Sequence, residues 1–243
     1  MGQVFDYDLG ARISPALGLI LLQPDETLEH EIRSVLGTDV TLHCTRVPSA
    51  PTLSRESLAL MENQLPAAAA LLPDTAFSVI GYGCTSGTSV IGAAKVADMV
   101  QSGRRAAGVT DPLTALIAAC KHLELQNIAL LTPYVIDVSQ GLRDVLSDAG
   151  VATPVFGSFN EAEEARVARI DAASLIHAAT TLGQSPDVDA VFLSCTNLRT
   201  LDILRQIGGA IGKPALSSNQ VLIWHMAQLA GIKVDLARFG PAL

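Results

Sequence analysis

Val79-Ile-Gly-Tyr-Gly-Cys84-Thr-Ser-Gly-Thr88 reads as a short apolar strand that breaks off at Cys84 into small polar residues. An apolar run of this length, closed by glycines, fits a buried strand better than a helix. Val191-Phe-Leu-Ser-Cys195-Thr-Asn-Leu-Arg-Thr200 repeats the pattern 111 residues later, about half a chain away. In both places a strand hands a cysteine to a loop, and the loop leads into a helix.

Working outward, similar runs recur at Leu17–Leu22, Val40–Val47, Ile128–Leu131, Thr153–Gly157 and Pro214–Leu216. With Phe77–Tyr82 and Ala190–Ser194 they make seven candidate strands. Between them lie candidate helices at 27–36, 52–71, 91–102, 112–123, 138–149, 161–182, 198–210 and 218–230. Parallel strands need crossovers of about a dozen residues, which a helix supplies. Strand–helix alternation therefore predicts an α/β protein: two similar doubly wound parallel-sheet halves, with the active site in the cleft between them. Gly108-Val-Thr-Asp-Pro112 reads as the crossover between halves, with Thr110 or Asp111 capping the next helix and Pro112 in its first turn. Ser217-Ser218 can cap a last helix that returns to the first half. The expected division is 1–110 plus 218–243 against 111–217.

Composition narrows the function. Hydrophobic residues make up 49% of the 243, enough for a sizeable core. Aromatics at 4% argue against stacking surfaces for single strands, and a net charge of -8 with no basic cluster disfavours a polyanion. Nucleic acid is not an expected partner. No apolar run reaches the roughly 18–20 residues of a membrane helix, so no membrane association is expected. Residues 1–16 lack an apolar signal-peptide core and read as a lead-in before the first strand. Cys44, Cys84, Cys120 and Cys195 form no Cys-x-x-Cys pair and have no histidine at ligand spacing. Neither a metal site nor a disulfide framework is expected, and the chain reads as a reduced, cytoplasmic enzyme.

In open α/β sheets ligands collect at the carboxyl ends of strands, where the next helix offers free N–H groups and the positive end of its dipole. A thiol placed there is expected to ionise more readily. Thr85, Ser86, Thr196 and Asn197 add donors that can hold a carboxylate or the enolate made from it. Two opposed thiols, one as base and one as acid, can move a proton across a carbon centre without metal or cofactor. Alternatively, one thiolate can add to a conjugated double bond while the other handles the proton. A lone cysteine is ordinarily a small buried hydrophobe. Cys44, within a strand, and Cys120, on a helix, are read that way. For Cys84 and Cys195 the repeated Cys-Thr-polar context favours function.

The chain resembles the aspartate/glutamate racemase superfamily, in its maleate isomerase and arylmalonate decarboxylase branch, from Leu17 to Gly231. Five elements in order carry the likeness: Gln23-Pro24-Asp25-Glu26-Thr27-Leu28-Glu29, Gly-Cys84-Thr-Ser-Gly, Thr132-Pro133-Tyr134, Val167-Ala168-Arg169 and Ser194-Cys195. The decarboxylases keep only the second cysteine, so Cys84 points to an isomerase or racemase. The resemblance implies Cys84 as nucleophile, Cys195 as acid/base thiol, and Tyr134 as a donor to a substrate carboxylate. It also implies a homodimer. Ser-Cys195-Thr-Asn-Leu and Leu216-Ser-Ser-Asn-Gln220 look most like proteins associated with ectoine utilisation, which handle diaminobutyrate-type compounds.

Two departures bear on the substrate. Maleate isomerases carry Asn where Asp25 stands, and another Asn where Glu164 aligns. Two carboxylates would repel a dianion by roughly 1–4 kcal/mol each at contact and suit a small carboxylate that also bears an ammonium group. Alternatively both face away, Asp25 as a helix cap and Glu164 on a solvated acidic run. Other readings stay open: maleate cis-trans isomerisation, a binding protein without catalysis, or a decarboxylase using Cys195 alone. His225 beside Trp224 reads as packed, His30, His43, His122 and His177 as structural or exposed, and Arg169 as an ion-pair partner or a carboxylate clamp. The glycines of 81–87 lack the spacing of a phosphate or dinucleotide loop.

Overall fold

The computed structural model describes residues 2–11, 15–240 and 243. The lead-in reading of residues 1–16 rests partly on Met1 and Arg12, which lie outside the described residues. The strands are β1 (Ala16–Leu22), β2 (Thr41–Val47), β3 (Phe77–Gly83), β4 (Ala106–Thr110), β5 (Asn127–Thr132), β6 (Ala152–Ser158), β7 (Ala190–Leu193) and β8 (Ala215–Ser217). The helices are α1 (Leu28–Val35), α2 (Arg55–Leu60), α3 (Leu65–Ala70), α4 (Thr85–Ile91), α5 (Ala93–Gly103) and α6 (Pro112–His122). They continue with α7 (Ile136–Asp148), α8 (Glu164–Val167), α9 (Ala172–Gly183), α10 (Leu201–Ile211) and α11 (Ser218–Ala230).

All sheet pairings are parallel, and the two four-stranded sheets are wound alike, β2-β1-β3-β4 and β6-β5-β7-β8. Helices cover the faces, so central strands are apolar throughout: every residue of β1 and of β7 is buried. β3 and β7 hold the same place in their sheets. That shared winding brings Cys84 and Cys195 to equivalent strand ends. The α/β class and the paired halves are as the sequence indicates.

Some expected boundaries move. The stretch expected as an inter-half crossover contains a strand, β4, whose Ala106–Thr110 pairs with Phe77–Gly81 of β3. Ala106, Ala107 and Gly108 carry little strand preference, and pairing with β3 decides their conformation. Asp111 then caps α6, accepting from Leu113 N and Thr114 N at 2.9 Å, with Pro112 in the first turn. The helix expected over 52–71 divides into α2, a 3-10 turn and α3, where Pro66 sits in the first turn of the last piece. The helix expected over 161–182 divides at Asp171, which caps α9 through Ser174 N. The expected loop after Cys84 is already helix, because α4 starts at Thr85 and hands over to α5 at Gly92, whose φ of 94° suits glycine.

α11 begins where Ser217 caps it, accepting from Gln220 N, and packs on β3, β4 and α6. A short antiparallel clasp joins the residues after β2 to those after β6. Leu53 N donates to Ala162 O (3.0 Å), Glu164 N donates to Pro51 O (2.9 Å), and Thr52 bridges Glu163.

Candidate active site

Cys84 is the N-cap of α4. Its Sγ accepts from Gly87 N at 3.1 Å, doing what a serine or aspartate oxygen does at most helix starts. Gly87 is required at that position: a Cβ there would lie 2.6 Å from Tyr82 Oη and 2.9 Å from Cys84 Sγ. Cys195 follows β7 by two residues, with a φ of 155° that L-residues rarely adopt. Its Sγ accepts from Asn197 N at 3.3 Å and lies 2.9 Å from Tyr134 Oη.

The two cysteine loops are tied together. Thr196 Oγ1 donates to Gly83 O at 3.0 Å. Ser218 Oγ accepts from Cys195 N at 3.0 Å and lies 2.8 Å from Thr85 Oγ1. Asn219 Nδ2 donates to Thr196 O and, at 2.6 Å, to Glu31 Oε2. Glu31 Oε1 in turn takes the N–H groups of Thr200 and Leu201 and caps α10.

Asp25 answers both expectations held for it. Its Oδ1 accepts from Thr27 N and Leu28 N at 2.9 Å, holding the start of α1. Asp25 lines the cavity, and its Oδ2 is buried with no hydrogen-bond partner among the described residues. The neighbouring Thr196 hydroxyl is committed to Gly83. Glu164 does not lie on a solvated face. It is buried, with Oε1 accepting from Tyr134 Oη at 2.6 Å and Oε2 from Asn197 Nδ2 at 2.7 Å.

Leu22, Asp25, Cys84, Thr85, Ser86, Tyr134, Glu164, Cys195 and Thr196 enclose one small cavity of about 10 Å3. That is space for roughly one water, so this is a closed form. Among the described residues, no lysine, arginine or histidine lines it. A larger groove of about 620 Å3 lies behind, between Glu26, His30, Arg199, Asp202 and Arg238, and holds neither thiol. All nine residues singled out from the sequence meet here, eight on the wall and Asn197 directly behind Glu164.

Burial governs the protonation states. It pushes Cys84 up to about 12 against the Gly87 N–H that favours the thiolate, and nearby Glu164 adds to the rise. It pushes Cys195 well above the ordinary thiol range, again with help from Glu164, against Tyr134 and Asn197. The readier ionisation expected at a helix start is therefore absent in the closed cavity, where desolvation outweighs the helix end. Burial likewise raises Asp25 and Glu164.

Ser218 and Glu31 were not legible as site residues from their own surroundings. Ser218 reads as half of a serine pair at a helix start, and Glu31 as one more acid on an amphipathic helix. Cys44 and Cys120 lie away from the cavity, each pushed up to about 12 by burial. His225 Nδ1 pairs with Thr110 Oγ1 (2.7 Å) and stacks on Trp224. Arg169, expected in an ion pair, instead turns its Nε to Ala165 O at 2.6 Å. Among the described residues, no group of three His, Cys, Asp or Glu is placed to hold a metal, and no helix is long and apolar enough to cross a membrane.

Two cysteines at matching strand ends of a doubled α/β fold invite comparison with known proteins. The arylmalonate decarboxylase family pattern matches residues 48–240. This chain belongs to that family. The arylmalonate decarboxylase of Bordetella bronchiseptica is 30% identical over 143 residues, which is 58% of this chain and 60% of that protein. A maleate isomerase of Nocardia farcinica is 27% identical over 214 residues, 83% of this chain and 84% of that one. In fold, a cysteine-to-serine variant of Nocardia farcinica maleate cis-trans isomerase with a covalently bound succinylcysteine intermediate superposes with a TM-score of 0.83. It is 24% identical, covering 93% of this chain and 96% of that one. Membership in the arylmalonate decarboxylase family places the chain in the maleate isomerase and arylmalonate decarboxylase branch.

Proposed function

We propose that this arylmalonate decarboxylase family member is a cofactor-independent two-thiol racemase or isomerase. Its substrate is a small carboxylate that also carries an ammonium group. The observation that carries the reading is that Asp25, a wall residue of the thiol cavity, keeps a buried Oδ2 without a hydrogen-bond partner among the described residues. Glu164 is the second carboxyl on that wall. A buried carboxylate oxygen without a partner costs several kcal/mol unless a cation or a proton meets it. A substrate ammonium supplies the charge, while the hydroxyls of Thr85 and Ser86 receive the carboxylate. Cys84 and Cys195 then stand as the acid and base of a proton transfer at carbon. Amino acids of the diaminobutyrate type fit this description.

A second reading is cis-trans isomerisation of maleate, through thiolate addition by Cys84. It is favoured by the maleate isomerase relatives. It requires Asp25 and Glu164 to be neutral when the dianion binds, a state toward which burial pushes both. Incubation in deuterium oxide with a panel of small amino acids, acylated diamino acids and maleate separates the two. Deuterium uptake at an α-carbon, lost in both Cys84→Ala and Cys195→Ala, is the expected result. Conversion of maleate to fumarate with no exchange in any amino acid would replace the first reading by the second.

A further inference from the structure

The Cys195 sulfur has a directed escape route for its proton. Tyr134 Oη donates to Glu164 Oε1 at 2.6 Å and lies 2.9 Å from Cys195 Sγ. A hydroxyl has one proton to give, so with that proton on Glu164 the thiol is the donor in the second contact. The result is a chain in which S–H donates to the tyrosine oxygen and O–H donates to the carboxylate. Asn197 braces both ends, its Nδ2 on Glu164 Oε2 (2.7 Å) and its backbone N–H on the sulfur (3.3 Å). All four residues are buried. The Cys84 half has the first link without the second. Tyr82 interacts with the Cys84 sulfur, but its hydroxyl donates to Met61 Sδ at 3.9 Å and to no carboxylate among the described residues.

We infer that Glu164 is the proton acceptor for Cys195 and works through Tyr134. The S–H bond breaks as its proton passes to the tyrosine oxygen, and the tyrosine's own proton passes to Glu164 Oε1. A thiolate, an intact tyrosine hydroxyl and a neutral carboxylic acid remain. The charge only changes place, so the buried cavity gains none, and the large cost of adding a charge to a low-dielectric site is avoided. The inference deepens the two-thiol reading and rests on it for the steps at carbon. There the Cys195 thiolate takes the substrate proton on one face and the Cys84 thiol gives one on the other. Solvent then returns the Glu164 proton to Cys84 when the cavity opens. Glu164 is a positioning residue in this scheme, since it acts through Tyr134 and not on the reacting carbon.

The sign of one substitution decides the matter. The ionisable groups facing Cys195 are Tyr134, Glu164, Asp25 and Cys84, with Arg46 behind Asp25, its Nη1 on Asp25 O at 2.8 Å. If Glu164 is a spectator, its negative charge holds Cys195 protonated, and removing that charge speeds thiolate formation. If Glu164 is the acceptor, removing it slows thiolate formation.

The test is the rate of iodoacetamide labelling at Cys195 against pH, resolved by peptide mass spectrometry, in a Cys84→Ala background. With Glu164 present, the rate should stay flat across the range where thiol and carboxyl share one proton. Glu164→Gln should lower the neutral-pH rate at least tenfold and restore a tenfold rise per pH unit. Tyr134→Phe, which keeps the carboxylate and cuts the middle of the chain, should do the same. Labelling of Cys84 in a Cys195→Ala background should change less than threefold with Glu164→Gln, since cavity opening is common to both thiols. An unchanged or faster Cys195 rate in Glu164→Gln overturns the inference, as does an equal loss at Cys84. Labelling needs no substrate. A flat profile without α-carbon exchange would therefore sink the functional reading and leave the relay standing, and exchange with a steep profile would do the reverse.

Discussion

The half that carries Cys84 and the half that carries Cys195 share strand order and parallel pairing, yet they hold their sulfurs by different means. Cys84 runs from strand to helix with extended backbone, φ −151°, and is fixed by a main-chain donor of its own helix. Cys195 is turned out at a positive φ, its helix does not begin until Leu201, and its sulfur meets the Asn197 backbone N–H and the hydroxyl of Tyr134, which in turn donates to Glu164. Each sulfur takes a main-chain N–H, but among the described residues only that of Cys195 is linked through a tyrosine hydroxyl to a carboxylate. A duplicated fold supplies two equivalent positions, and the chemistry of the pair depends on the positions not staying equivalent. A base and an acid facing one carbon must differ in readiness to part with a proton.

That contrast can be broken most forcefully at the thiols themselves. Cys84→Ala and Cys195→Ala should each cost at least about 10³-fold in kcat/KM, since each removes one partner of a proton transfer. Retained carbon dioxide release in Cys84→Ala would instead leave a one-thiol decarboxylase. Gly87→Ala sharpens the backbone side of the comparison. The new methyl group would crowd Tyr82 Oη and Cys84 Sγ, and a misplacement of about 1 Å in a reacting group can cost about 10²-fold. Labelling of Cys195 in this variant should stay at the parent rate, and a change there would show that the halves are not independently built.

Asp25→Asn keeps an oxygen for the Thr27 and Leu28 N–H groups but replaces the free Oδ2 by a donor. Activity on ammonium-bearing substrates should fall about 10- to 100-fold, worth roughly 1.4–2.8 kcal/mol, with thermal stability little changed. Unchanged turnover would remove the charge argument. The smallest effect on turnover is expected at Glu31, which braces both loops from behind and whose substitution reads out in stability. Burial raises its carboxyl from an ordinary value of 4.5 to about 7. The folded state then holds a proton that the unfolded chain releases between those values, so this group's contribution to stability falls as pH rises from about 4.5 to 7. The ceiling of that fall is about 3 kcal/mol. Glu31→Gln should flatten melting temperature against pH over that interval, and an equally steep curve in the variant would assign the slope elsewhere.

Much of this arrangement could be read from residue order alone, because the informative feature is a repeat. A strand ending in Cys-Thr-polar twice, half a chain apart, forces two like sites at two like strand ends once the α/β alternation is accepted. Tyr134 and Asn197 came with the same elements. The illegible parts depend on contacts between residues far apart in sequence. β4 is made a strand by β3, since Ala106-Ala-Gly108 has little preference of its own. Glu31 becomes a structural acid only because Thr200, Leu201 and Asn219, between 169 and 188 residues away, aim their N–H groups at it. Asp25 was ambiguous between cap and pocket wall for a reason that the structure makes plain: a carboxylate has two oxygens, and each took one of the roles. The easier ionisation expected at the helix start failed because sequence shows the donor and not the depth.

The clasp between Pro51–Leu53 and Ala162–Glu164 has a consequence for the relay. The N–H that closes it belongs to Glu164, the residue whose carboxyl accepts from Tyr134. Seam and proton chain therefore meet in one residue: the loop after β2, which carries neither thiol, helps to hold the carboxyl at the far end of the Cys195 chain.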